Sequence, residues 1–201
     1  MTHTLNRLGL TDKAPEEEFV FLCMVNQKEK THKADAMKKI VETIFKYNPD
    51  NFIGAPNGFT KNDVIALAPA TGIVTAVFTN KDDLLEFVKD IKSQNLGISV
   101  VISGLFNDIH TICCASGLKE HTFHISLGIF GNTKNLPDQK TLEITTQCGH
   151  GLISPYLVKH IAEKISKGKL SLDEGAQMLI KPCVCGIGNQ KRITKILKQM
   201  V

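Results

Sequence analysis

The chain has 201 residues, of which 42% are hydrophobic and 22% are charged, and these fractions are typical of a folded globular protein rather than a disordered or fibrous one. The length predicts one ordinary domain, or one domain with a small appended segment. The sequence contains no run of about eighteen apolar residues, and its first residues lack the apolar stretch of a secretory signal, so we expect a cytosolic protein without membrane association.

The net charge of +4 at pH 7 gives little reason to expect nucleic-acid binding. Among the 24 basic residues, only Arg7 and Arg192 are arginines. Lysine lacks the planar fork with which arginine binds bases and phosphates. We therefore expect no nucleic-acid partner. A small molecule or a redox protein remains a possible partner.

Residues 1–17 lack periodicity and are predicted to form an N-terminal arm. Residues 18–131 are predicted to form an α/β domain, in which helices pack on a small mixed or parallel sheet of four or five strands. The predicted strands are 18–25, 64–68, 72–79, 98–102 and 121–130, and the predicted helices are 31–47, 81–94 and 105–116. The strand, helix and strand over 73–102 predict a right-handed crossover between two parallel strands.

Residues 132–201 are predicted to form a helical C-terminal segment that packs on this domain. The predicted helices are 155–167, 171–180 and 189–200, while 141–146 fits either a helix end or a short strand. Ser154 before Pro155 marks the start of the first helix, and a capping box over 171–174 marks the start of the second. Together these two helices predict a hairpin, followed by a last helix.

The six cysteines are the most informative feature of the sequence, because thiols stay reduced in the cytosol and need another explanation than disulfides. Cys23 lies in an apolar run and is predicted to be a core residue. The others occur in three places, Cys113-Cys114, Cys148 and Cys183-Val-Cys185. Cys148 precedes the first helix of the predicted hairpin, and Cys183-Val-Cys185 follows the second. Because the two helices are antiparallel and similar in length, the hairpin would bring these cysteines together.

Thiolate and imidazole are ligands that suit zinc and iron–sulfur clusters. We therefore expect a metal site, for which the predicted ligands are Cys148, His150, Cys183 and Cys185. Further contacts to the cofactor are expected from Gly149, Gly151, Ser154 and Gly186. Each ligand pair has one intervening residue, whereas zinc fingers usually have two to four, so the spacing favours an iron–sulfur cluster over zinc. The predicted function is binding of this cofactor in a redox or cofactor-handling role.

Two alternatives remain at this stage. Cys148 or Cys185, each placed ahead of a helix start, could be an activated nucleophile with His150 as general base or proton donor, and the protein would then be an enzyme acting on a small substrate. Alternatively, the cysteines bind a structural zinc ion, or they are buried core residues without a chemical role. The sequence has neither a dinucleotide-binding glycine pattern nor the nucleophile elbow of a serine hydrolase.

Cys113 and Cys114 lie on the predicted helix 105–116. His110 and Cys114 are four residues apart and share one helix face, so they could bind a metal. The favoured interpretation is that both cysteines are half-buried and inert, while Cys113 stays open as an extra ligand or resolving thiol. His121 and His124 are expected at the surface or with their own partners.

Overall fold

A computed structural model describes residues 7–10 and 18–201. Most of the predicted arm over 1–17 therefore lies outside the described residues. The elements in chain order are β1 Phe19–Met24, α1 Ala34–Ile44, β2 Asn51–Phe52, α2 Lys61–Thr71, β3 Ile73–Phe78, α3 Lys81–Gln94, β4 Val100–Ser103, α4 Phe106–Ala115, α5 Gln139–Thr145, α6 Pro155–Ser166, α7 Leu172–Ile180 and α8 Gln190–Met200. Short 3₁₀ turns lie at Ala55–Asn57 and Thr133–Asn135.

The four strands form one sheet in the order β2-β3-β1-β4. This sheet with its packed helices confirms the α/β class and the helical C-terminal segment. Every adjacent pair is antiparallel, whereas the sequence predicted a mixed or parallel sheet. β3 and β4 do run in the same direction, as the crossover predicted, but β1 lies between them. The crossover helix fixes the relative direction of the strands that it joins, and not which strand lies between them.

Three local predictions change in the structure. The strand predicted at 64–68 is part of α2, because Thr60 and Asp63 form a capping box that starts a helix there. Residues 121–130 form no regular strand, and Gly128 within them has φ +98°. The ambiguous residues 141–146 belong mainly to α5, whose first turn is capped by Asp138. A short apolar run does not distinguish strand from helix, so the capping signal decides.

The sheet is buried between two layers of helices. Phe19, Phe21 and Cys23 of β1 point into a core shared with α1, α2, α3 and α4. Val20 of β1 and Val77 of β3 point into a second core with α5, α6, α7 and α8. Because alternate residues of a strand point to opposite faces, β1 needs apolar residues at nearly every position. The C-terminal helices therefore cover the second sheet face, and the boundary at residue 131 stays a prediction.

Among the helices of the described residues, none is both long and apolar enough to cross a membrane.

Candidate functional site

The α6–α7 hairpin places two cysteine loops side by side. The first loop precedes α6 and carries Cys148 and His150, and the second loop follows α7 and carries Cys183 and Cys185. Cys148 and Cys183 are buried in the same cluster of side chains, close enough for each thiol to shift the pKa of the other. The Sγ atom of Cys185 lies 3.3 Å from Nδ1 of His150. The structure thus brings together the four predicted ligands as two cross-loop pairs, each with one member from each loop. We call these four residues the thiol cluster.

Cys148 is the member of the inner pair whose pKa is lowered, although its side chain is buried. The hydrogen bond from Cys183 lowers the pKa of Cys148 to about 5, with further contributions from the backbone N–H groups of Leu152 and His150 and from the charge of His150. Burial of the side chain raises the pKa of Cys148, but the other contributions together outweigh this effect. Hydrogen bonds donated to a thiolate stabilise its charged form, so Cys148 is ready to bind a cation.

Cys183 keeps the proton of the inner pair. Its hydrogen bond to Cys148 and its burial raise the pKa of Cys183 well above the ordinary thiol value, while the N–H groups of Ile187 and Gly188 act against this rise. Backbone donors therefore face both sulfur atoms of the pair. Cys185 is half-buried, and burial followed by the charge of Cys148 raises the pKa of Cys185.

The residues predicted to contact a cofactor through their backbone have different environments. Gly149 and Gly151 are exposed. Ser154 caps α6, and its hydroxyl oxygen accepts a hydrogen bond of 3.2 Å from the N–H of Tyr156. Gly186 is buried with φ +63°, and a Cβ atom there would lie 1.9 Å from the carbonyl oxygen of Phe52. Gly186 therefore lets the second cysteine loop pack directly on β2.

Two more hydrogen bonds hold this second loop against the edge of the sheet. The side-chain amide of Asn51 in β2 donates to the carbonyl of Gly188 over 2.6 Å. The hydroxyl of Thr75 in β3 donates to the carbonyl of Cys185. Because these bonds involve backbone carbonyls, they position the loop without using its thiols.

Arg7, Glu18 and Arg192 form a buried ionic network next to the two cysteine loops, which we call the arginine network. Both arginines of the sequence contact the carboxylate of Glu18: Arg7 donates directly to it, and Arg192 forms an ion pair of 3.6 Å. The side chains of Arg7, Glu18 and Arg192 are 5%, 1% and 3% exposed. Two buried guanidinium groups therefore contact the same buried carboxylate.

The arginine network also ties the two cysteine loops together. Arg7 donates to the backbone carbonyls of Gln147 and Ile187, which lie on different loops. The N–H of Asn189 donates to the side-chain oxygen of Gln147 over 2.8 Å, and the side chain of Asn189 donates to Glu18 over 3.2 Å. The sequence analysis missed this network. Its available signal was that only two arginines occur among so many lysines.

Cys113 and Cys114 occupy the last turn of α4. Cys113 is half-buried as expected, and burial raises the pKa of its thiol. Cys114 is exposed, which corrects the expectation of a half-buried residue. Its sulfur contacts the imidazole of His110 in the preceding turn. His121 and His124 are both exposed, as expected.

The thiol cluster is not a ready-made coordination shell. Among the described residues, no group of three or more His, Cys, Asp or Glu side chains is arranged to hold a metal ion. No family model, curated protein or solved structure matches this chain. The interpretation of the site therefore depends on its own residues.

We expect alkylation of the native protein to separate its thiols by exposure. Cys114 is exposed and Cys185 half-buried, whereas Cys148 and Cys183 are 2% and 1% exposed. Because a buried thiolate reacts only when the structure opens, iodoacetamide should modify Cys114 at least about tenfold faster than Cys148. Peptide mass spectrometry at timed intervals measures the rates, and labelling in urea is the control. Equal native rates would contradict the burial of Cys148.

Proposed function

We propose that the protein binds an iron–sulfur cluster through Cys148, Cys183 and Cys185, with His150 as a fourth ligand, and that it serves a redox or cofactor-handling role. The observation that carries this proposal is that the loop before α6 meets the loop after α7: Sγ of Cys185 lies 3.3 Å from Nδ1 of His150, and Cys148 and Cys183 are buried in one cluster of side chains. Thiols from two such loops would be ligands of the same iron–sulfur cluster. Zinc is the other metal that these ligand types accept.

The backbone around the inner pair supports this proposal. N–H groups of His150 and Leu152 face the sulfur of Cys148, and those of Ile187 and Gly188 face the sulfur of Cys183. In metal–thiolate sites, such N–H groups orient the sulfur ligands and offset their negative charge. In the proposed site these N–H groups would stabilise the sulfur ligands of the cofactor.

The outer pair would complete the ligand set. His150 is exposed and Cys185 half-buried, and their side chains contact each other over 3.3 Å. A ligand role would require both side chains to turn about χ1 towards Cys148.

The arginine network positions the loop that carries Cys148. Arg7 donates to the carbonyl of Gln147, the neighbour of Cys148. A cofactor bound at Cys148 would therefore be attached to a backbone that is held in place. A nucleophilic role for Cys148 or Cys185 is the weaker proposal, because Cys148 is 2% exposed and burial raises the pKa of Cys185.

Anaerobic purification with supplied iron and sulfide tests the proposal. We expect a brown protein with broad visible absorbance and about four iron and four sulfide ions per chain, as for a [4Fe–4S] cluster. Cys183→Ala should lose this chromophore, whereas the matched control Cys23→Ala, which removes a buried thiol in β1, should retain it. Zinc at about one ion per chain would assign the same ligands to zinc instead. Neither metal, in a protein shown by circular dichroism to be folded, would overturn the proposal.

A further inference from the structure

A second thiol site lies on the other helical layer, at the end of α4. The Sγ atom of Cys114 is 3.7 Å from Nε2 of His110. The Nδ1 atom of the same imidazole is 2.8 Å from Oε1 of Glu120. One ring nitrogen thus faces a thiol, and the other faces a carboxylate. This is the order of nucleophile, base and orienting acid found in catalytic triads.

The local structure explains how the exposed His110 and Cys114 and the half-buried Glu120 reach this order. His110 and Cys114 are four residues apart on α4, so they lie on one helix face. Gly117, at φ +66°, ends the helix, with N–H groups of Gly117 and Leu118 bonded back to the carbonyls of Cys114 and Cys113. This Schellman turn reverses the chain and returns Glu120 to His110.

The turn is also held from outside α4. The ammonium group of Lys92 in α3 donates to the carbonyls of Ser116 and Gly117 over 2.9 and 2.8 Å. Hydrogen bonds from its own backbone N–H and from His110 lower the pKa of Glu120, so its carboxylate stays ionised. The turn that leads to Glu120 is therefore held by α3, and the side chain of Glu120 is held by its bond to His110.

We propose that Cys114 and His110 are the catalytic residues of a second site, which transfers acyl groups from esters or thioesters, and that Glu120 is the positioning residue of His110. Nε2 of His110 faces the thiol of Cys114, and its Nδ1 faces the carboxylate of Glu120. In this arrangement His110 takes the proton of Cys114 as a general base.

The chemical step needs no oxidant or metal. The sulfur of Cys114 attacks the acyl carbon, and its proton passes to Nε2 of His110. A carbon–sulfur bond forms, the bond to the leaving alcohol or thiol breaks, and His110 returns the proton to that leaving group. Water then attacks the acyl-enzyme with His110 as base, the carbon–sulfur bond breaks, and the proton returns to Cys114.

Aromatic rings next to the triad indicate the class of acyl group. The ring of Phe106 is parallel to that of His110, with centroids 6.3 Å apart, and Phe123 packs against Phe106 at 5.7 Å. Phe106 and Phe123 are 53% and 63% exposed. Exposed rings of this size gain free energy when they cover apolar substrate atoms. The acyl group is therefore apolar, of butyryl size or larger.

The test uses p-nitrophenyl butyrate with the full-length protein. We expect release of nitrophenol, together with a butyryl adduct located on Cys114 by peptide mass spectrometry. Cys114→Ala should abolish the adduct, and His110→Asn should slow acylation about 100-fold. The matched control is Cys113→Ala, which removes the adjacent half-buried thiol and should leave acylation unchanged.

Three further variants examine the roles of the neighbouring groups. Glu120→Gln should slow acylation about tenfold, and Glu120→Asp should restore part of the rate, because a carboxylate again faces the imidazole. Phe123→Ala should reduce the preference for butyrate over acetate. A butyryl adduct distributed equally over Cys113 and Cys114, or a rate unaffected by His110→Asn in a folded protein, would overturn the proposal.

Discussion

Gly186→Ala is expected to destabilise the protein by about 3 kcal/mol or more. Gly186 has φ +63°, and an added Cβ atom would lie 1.9 Å from the carbonyl oxygen of Phe52 and 2.6 Å from the N–H nitrogen of Ile53. These are backbone atoms at the edge of the sheet, so neither can rotate away as a side chain would. The loop carrying Cys183 and Cys185 would have to move off β2. Urea unfolding followed by circular dichroism measures the loss.

Gly151→Ala is the matched control for this prediction. Gly151 lies in the other cysteine loop and has a similar φ of +69°, but a Cβ atom there meets nothing within 4 Å. The control therefore retains the backbone strain, about 1 kcal/mol, and lacks the clash. If both variants lose the same stability, the close packing of Gly186 on β2 does not contribute to folding.

The sequence predicts those parts of this fold that have local causes. Ser171 with Glu174, and Ser154 before Pro155, correctly marked the starts of α7 and α6, because capping is decided within one helical turn. The order of strands in the sheet depends on pairing between distant segments, and periodicity does not contain that information. For the same reason β2, only two residues long, was missed.

The thiol cluster shows the same division between local and distant causes. The lengths of two helices and the turn between them were enough to predict that the cysteine loops meet. The detailed arrangement of the two loops depends on contacts with distant parts of the chain, which helix lengths do not predict. One such contact is the hydrogen bond from Asn189, at the end of the second loop, to Glu18, which lies 171 positions away in the sequence.

The sequence predicted only part of the proposed site at the end of α4. The spacing of His110 and Cys114 correctly placed both residues on one helix face. Glu120 follows the helix, and no helical spacing relates it to His110. Its position depends on the turn at Gly117, which the sequence predicted as a helix end without the direction of the chain beyond it.

Glu18→Gln should weaken the fold by about 3 to 5 kcal/mol, because it removes the buried carboxylate that contacts two buried guanidinium groups. The Glu18 side chain is 1% exposed and contacts both Arg7 and Arg192. Water cannot solvate these cations in the native state, so the cost is far larger than at the surface. Thermal and urea unfolding at pH 7 measure it.

The control is Glu163→Gln, which removes an exposed ion pair with Lys167 on α6 and should change stability by less than about 0.5 kcal/mol. A second variant shows whether unpaired charge is the cause. Glu18→Gln combined with Arg192→Met removes one cation together with the carboxylate, so the double variant should be less destabilised than the sum of the two single changes. Strict additivity would mean that Glu18 acts through its shape and hydrogen bonds. In that case the charge of the arginine network would not be what holds the two cysteine loops together.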